Sequence, residues 1–166
     1  MAADKFNYLL FYRKNRMRKT NLYILRLING KYYVGISQNP QKRIKDHFAG
    51  RGAGWTRTHK PVGVEMVLNG VDIYAEDMWT KRYMSEKGIE NVRGGLYVRD
   101  EIPEPEQKMI QREIWSAEAV CMRCGSKGHY AAQCKEEKDV NGRIITGWET
   151  CNICGFWRDG KFDKLK

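Results

Sequence analysis

Asn21-Leu22-Tyr23-Ile24-Leu25-Arg26-Leu27-Ile28-Asn29-Gly30-Lys31-Tyr32-Tyr33-Val34-Gly35-Ile36 is the stretch that decides the fold. Leu22–Leu27 and Lys31–Ile36 are rich in Leu, Ile, Val and Tyr, side chains that suit a pleated, half-buried surface. Between them stands Asn29-Gly30, two residues that tolerate positive φ, so the stretch predicts a β-hairpin. Tyr23 and Tyr33 then lie on adjacent strands, where their side chains can approach one another.

Downstream, Asn39-Pro40 supplies an N-cap followed by proline at the first helical position, and Gly50 closes that helix. Arg43 and His47, four residues apart, share one of its faces. Val62–Leu68 reads as a third strand, and Asp72 caps a helix from Ile73 to Lys87 that Gly88 stops. The order strand, strand, helix, strand, helix over residues 21–100 predicts a small α/β (α+β) domain, a three-stranded antiparallel sheet flanked by helices.

Residues 1–20 form a basic extension with one apolar patch, Tyr8–Tyr12, suited to an edge strand. Residues 101–120 open with Pro103 and Pro105 and continue as a linker helix with Met109, Ile110, Ile114 and Ala117 along one side. That stripe is a packing face, and the helix would hold whatever follows at a semi-fixed distance. Residues 121–134 form a small cysteine-rich module, and residues 135–166 a tail with a second Cys-x2-Cys unit at Cys151 and Cys154.

The chain has 166 residues, of which 42% are hydrophobic and 30% charged, the composition of a soluble globular protein and not of a disordered one. No apolar run approaches the roughly 18–20 residues that cross a bilayer, and the N-terminus lacks a secretory pattern, so an intracellular protein is expected. The net charge is +10 and unevenly spread. Residues 1–60 carry 14 Lys and Arg against 2 Asp and Glu, and the remainder carries 16 against 18. The excess includes the run Arg13, Lys14, Arg16, Arg18 and Lys19, which reads as a polyanion-binding surface or as a solvated basic tail. Two phenols, a guanidinium and an imidazole beside such a surface suit phosphodiester chemistry, although strand tyrosines also serve as packing residues.

These elements carry a family resemblance. Asn21-Leu22-Tyr23, then Tyr33-Val34-Gly35 ten residues on, resembles the signature of the GIY-YIG nucleases, with Asn-Leu standing where that name has Gly-Ile. Tyr33 fits the register, which turns Tyr32 to the opposite side of its strand. Asn39-Pro40-Gln41-Lys42-Arg43-Ile44 through His47 resembles the family's helix with its essential arginine. Gly52-Ala53-Gly54-Trp55-Thr56 and His59-Lys60-Pro61 are similar to its glycine-rich loop. Glu76 resembles its metal-binding glutamate, and Asn91, in Asn91-Val92-Arg93-Gly94-Gly95, its late asparagine.

The resemblance implies hydrolysis of a phosphodiester with one divalent metal, Mg²⁺ or Mn²⁺, held by Glu76. Arg43 would neutralise charge developing on the phosphate, for which a guanidinium fork is better shaped than an ammonium. Tyr23 would activate or position the attacking water, and with an ordinary phenol value near ~10 it needs help from Arg43 or the metal. His47 and Tyr33 would orient Tyr23 and the water, and Asn91 would bind phosphate or support the site. Which group takes the proton stays open at this stage. Lys42 and Lys60 join the basic run as nucleic-acid contacts, while Trp55 and Thr56 either support their loop or touch nucleic acid.

Cys121, Cys124, His129 and Cys134 have the spacing C-x2-C-x4-H-x4-C, with Gly125 and Gly128 where a tight metal loop needs glycine. Three thiolates and an imidazole complete a closed tetrahedral Zn²⁺ site with no open position for catalysis. In so short a segment the metal supplies most of the folding energy. The stretch resembles a zinc knuckle of the nucleocapsid type, which implies binding of single-stranded or unpaired nucleic acid, with Tyr130 stacking on a base. A competing arrangement joins Cys151 and Cys154 to Cys121 and Cys124 as a four-cysteine ribbon. A disulfide between Cys151 and Cys154 would be strained, and a reducing compartment is expected.

The sequence thus predicts a metal-dependent DNA endonuclease with a zinc-stabilised grip, structure-dependent or weakly specific in its cleavage, with branched or partly single-stranded DNA among the candidate substrates, and similar in arrangement to stand-alone nucleases of large DNA viruses and their hosts. A non-catalytic binder of RNA or single strands on the same fold is the alternative. A zinc-dependent protein adaptor is the third, and the basic first third of the chain speaks against it.

Overall fold

The computed structural model describes residues 19–140, 142 and 144. Tyr8–Tyr12, Arg13, Lys14, Arg16, Arg18, Cys151 and Cys154 lie outside the described residues. The chain divides between Ile102 and Pro103 into two compact units.

In the first unit, strand β1 (Thr20–Leu27) and strand β2 (Tyr32–Ser37) form the expected hairpin. Asn29 and Gly30 both adopt positive φ, 59° and 68°, as the turn requires. Helix α1 (Pro40–Phe48) begins on Asn39, whose side chain accepts the Lys42 amide at 3.0 Å. A short helix α2 (Gly54–Thr58) occupies the glycine-rich segment expected to be loop. Strand β3 runs longer than Val62–Leu68, over Pro61–Val71, with several register shifts against β1. Helix α3 (Ala75–Lys87) starts later than expected, because the Asp72 carboxylate accepts the Tyr74 amide at 2.8 Å and closes a turn ahead of the helix.

The sheet corrects the prediction of three antiparallel strands. Among the described residues it has four, in the order β3-β1-β2-β4, and strand β4 (Val92–Arg93) pairs parallel with β2. Two residues are too few to show a strand period, and an arginine in an otherwise glycine-rich stretch reads as loop. β1 and β2 are therefore central. Leu22, Tyr23, Ile24 and Leu25 are all 0–1% exposed, so β1 is covered on both faces. Tyr23, Leu25, Leu27, Tyr33 and Trp55 form one cluster with Ile44 and Ala53 packed against it. Tyr32 stacks against Tyr83 of α3 with ring centroids 5.6 Å apart, on the face its register predicts.

In the second unit, helix α4 (Glu104–Ala117) is present, but its predicted stripe narrows to Ile110 and Ile114. Met109 is exposed, and so is Ala117. Among the described residues no helix is long and apolar enough to cross a membrane.

The burial contrast along the sheet sets an expectation. Ile24→Ala removes a fully buried side chain and costs about 2–5 kcal/mol. Val62→Ala, on exposed edge strand, stays within about 0.5 kcal/mol, and urea denaturation of both variants measures the difference.

Candidate active site and metal centre

Tyr23 pairs with Gly35 across the β1–β2 ladder, and Tyr33 pairs with Leu25. The two phenols are thus diagonal neighbours on one face, ring centroids 6.4 Å apart. Gly35 makes this possible. A Cβ there would lie 2.5 Å from the Tyr23 hydroxyl and 3.0 Å from the Tyr33 ring, so any side chain would displace both.

α1 brings His47 and Arg43 to the same spot. His47 is fully buried, its ring centroid 4.8 Å from that of Tyr33 and 5.6 Å from that of Tyr23. Its Nε2 is hydrogen-bonded to the Tyr23 hydroxyl at 2.9 Å and its Nδ1 to Thr56 Oγ1 at 2.8 Å. Thr56 also donates to the Ala53 carbonyl at 2.9 Å. Gly52 lies against the His47–Thr56 contact, where a Cβ would collide with both side chains.

The charges respond to this packing. Burial, then the neighbouring Tyr33, push the Tyr23 hydroxyl well above its ordinary value, against a hydrogen bond and the positive charge of Arg43. Burial and then Glu76 raise Tyr33 in the same way. Both phenols are therefore protonated at neutral pH. Burial, followed by the charge of Arg43, brings His47 down to about 4, which leaves its ring neutral. Burial raises the Glu76 carboxyl, while hydrogen bonds with the Gly95 and Ile36 backbone partly offset it and the neighbouring Asp77 adds to the rise. Tyr23, Tyr33 and His47 thus pack together, and Arg43 and Glu76 lie near enough to act on the phenols electrostatically.

Asn91 is engaged elsewhere. It accepts from Lys31 Nζ at 2.9 Å and donates to the Lys87 carbonyl and to Glu90, none of them in this cluster. Trp55 corrects the expectation of a nucleic-acid contact: it is 3% exposed, donates to the Tyr32 carbonyl at 3.0 Å and packs in the core. Lys19, Lys42 and Lys60 are exposed. Lys60 and Arg57 also line a cavity of about 400 Å³ that reaches His47 and Thr56.

Sequence reasoning missed Arg93. Its guanidinium lies 4.4 Å from the Trp55 ring centroid and donates to the carbonyls of Ile89, Val92, Arg99 and Asp100. Asp77 was missed as well. It accepts the Leu96 amide at 3.0 Å, fixing the Gly95–Leu96 backbone next to Glu76. Neither could be found from spacing, because both hold backbone that is distant in sequence.

In the second unit the ligand atoms of Cys121, Cys124, His129 and Cys134 lie within 4.8 Å of one another, a set that could hold a zinc ion. Gly125 and Gly128 take φ of 77° and 95°, which sharpens the loop around the sulfurs. Arg123 ties the two ends of the module, donating to the Cys134 and Glu136 carbonyls at 2.9 Å each. Tyr130 is 68% exposed.

Residues 19–83 match the family described as the GIY-YIG catalytic domain. The chain is similar to a UPF0213 protein of Neisseria meningitidis serogroup A, 46% identical over 52 residues, 31% of this chain and 57% of that protein. A UPF0213 protein of Fusobacterium nucleatum is 39% identical over 47 residues, 28% of this chain and 47% of its own length. One of Bacillus cereus is 38% identical over 45 residues, 27% and 47%. The chain thus spans about half the length of the curated relatives it matches, and these relatives are bacterial. No solved structure matches it.

Gly35→Ala is expected to destabilise the first unit by about 1–3 kcal/mol through the forced shift of Tyr23, read by urea denaturation. The chain is expected to bind one Zn²⁺, and Cys124→Ser to lose it. Chelation should melt the Cys121–Cys134 module while the first unit keeps its own thermal transition, as followed by metal analysis and calorimetry.

Proposed function

We propose that the first unit is a metal-dependent endonuclease that hydrolyses DNA phosphodiester bonds, and that the Cys121–Cys134 module, holding zinc, assists nucleic-acid binding. The observation that carries this reading is the convergence of Tyr23, Tyr33, Arg43, His47 and Glu76, brought from β1, β2, α1 and α3. Five such groups meeting within a domain of this family support hydrolysis better than mere packing. Exposed Lys60, lining the cavity that reaches His47, supports a phosphate partner.

Glu76 fits a hard divalent cation such as Mg²⁺ or Mn²⁺. It is a half-buried carboxylate whose burial disfavours its own charge and whose neighbouring charge is a second carboxylate, a setting that a bound cation relieves. The cation would neutralise a phosphate oxygen. Arg43 presents a guanidinium to the charge developing on the same phosphate. Tyr23 receives the attacking water, Tyr33 and His47 restrict its position, and Asn91 steadies the Lys31–Glu90 junction of the fold. Lys19, Lys42 and Lys60 contact backbone phosphates together with the basic residues 13–18, and Tyr130 stacks on an unpaired base.

Arg43→Ala and Glu76→Ala are each expected to lower turnover by about 10²-fold or more while DNA affinity changes little. The assay uses duplex, flap, junction and single-stranded substrates with Mg²⁺ and with EDTA. Wild-type protein that cuts none of them, or cuts equally in EDTA, overturns the reading.

A further inference from the structure

The hydrogen bonds around Thr56 determine where protons sit, and that arrangement extends from Ala53 to Tyr23. Thr56 has one hydroxyl proton and two partners within reach, the Ala53 carbonyl at 2.9 Å and His47 Nδ1 at 2.8 Å. A carbonyl oxygen can only accept, so the Thr56 proton goes to Ala53 and the remaining contact needs a proton on Nδ1. The opposite assignment leaves Thr56 Oγ1 and the Ala53 oxygen as two acceptors facing each other with no proton between them. His47 is neutral, so a proton on Nδ1 leaves Nε2 with its lone pair free. The Tyr23 hydroxyl 2.9 Å away must then donate to Nε2.

We infer that Thr56 is a positioning residue that locks His47 in its Nδ1-protonated form, so that His47 draws the Tyr23 proton inward and turns the lone pairs of the Tyr23 oxygen toward the attacking water. This rests on the nuclease reading of the site. Burial makes a free Tyr23 phenolate inaccessible at neutral pH, and the lock removes the need for one. The water's proton passes to the Tyr23 oxygen as Tyr23's own proton passes to His47 Nε2. The water oxygen bonds to phosphorus, and the bond from phosphorus to the leaving sugar oxygen breaks with its electron pair on that oxygen. His47, fully buried, then returns its proton to the Tyr23 oxygen as Tyr23 releases the water's proton to the leaving oxygen. With the other tautomer, Nε2–H would point at Tyr23, force the phenol proton outward and present a donor to the water instead of an acceptor.

Gly52 keeps the two side chains in contact. It leaves no room for a side chain beside the His47–Thr56 contact, so the pair is held closed by the same loop that carries Ala53.

The test reads the ring nitrogens of His47 directly, by ¹⁵N NMR of the full chain, with the signal assigned against His47→Gln among the three histidines. Wild type is expected to show Nδ1 protonated and Nε2 bare. Thr56→Val, of nearly the same shape, removes the acceptor. It should shift the ring toward the Nε2-protonated form and lower kcat by about 10²-fold with KM little changed. Thr56→Ser should recover both the tautomer and most of the turnover. A wild-type ring protonated at Nε2 overturns the inference whether or not the protein cuts DNA. A Thr56→Val protein that keeps both tautomer and kcat overturns it as well. If wild type shows the expected tautomer and cleaves nothing, the nuclease reading fails, and with it the role assigned to the lock, while the hydrogen-bond orientation stands. If Thr56→Val does not fold, the wild-type ring and the Thr56→Ser pair still decide.

Discussion

The missing side chain at Gly35 is the constraint on which the site depends. β1 and β2 pair so that Tyr23 faces Gly35, and the phenol lies down across the partner strand in the space a Cβ would take. Only from there does its hydroxyl reach His47 on α1. A residue of any size would tilt the ring away from the sheet, and the contact between strand and helix would be lost. Strand pairing, usually a matter of stability, here sets the position of one oxygen atom.

Burial then does the electrostatic work. The site gathers two phenols, an imidazole, a guanidinium and a carboxylate, and desolvation pushes the phenols, the imidazole and the carboxyl toward their neutral forms. The histidine is an acceptor and no cation, and the phenols keep their protons. Arg43 sets a positive charge beside the two phenols. The resting ring stays neutral, since a standing imidazolium pressed against Arg43 would be costly to bury.

Much of this was legible in the sequence because it rests on local chemistry. Asn29-Gly30 needs positive φ at two successive residues, and Asn39-Pro40 can only open a helix, so the hairpin and α1 follow from single residues. The i, i+4 spacing put Arg43 and His47 on one face before any coordinates. The fourth strand was not legible, since two residues show no alternation and their parallel pairing with β2 depends on where α3 ends. Trp55 misled, because an aromatic residue in a glycine-rich loop looks like a contact surface until Arg93, thirty-eight residues on, is seen against its ring. Thr56 read only as a residue that supports its loop or touches nucleic acid. A threonine matters here only because a carbonyl and an imidazole flank its hydroxyl, and neither neighbour is visible in a pattern of spacings.

Arg93 has a consequence of its own. One guanidinium fastens four carbonyls between Ile89 and Asp100 and lies on Trp55 as well, so two segments distant along the chain share a single rivet. β4 is too short to hold that region by its ladder alone. The turn at Gly94–Tyr97 and the helix that bears Trp55 should therefore loosen together or stay closed together, and amide exchange in the two places would keep the same clock.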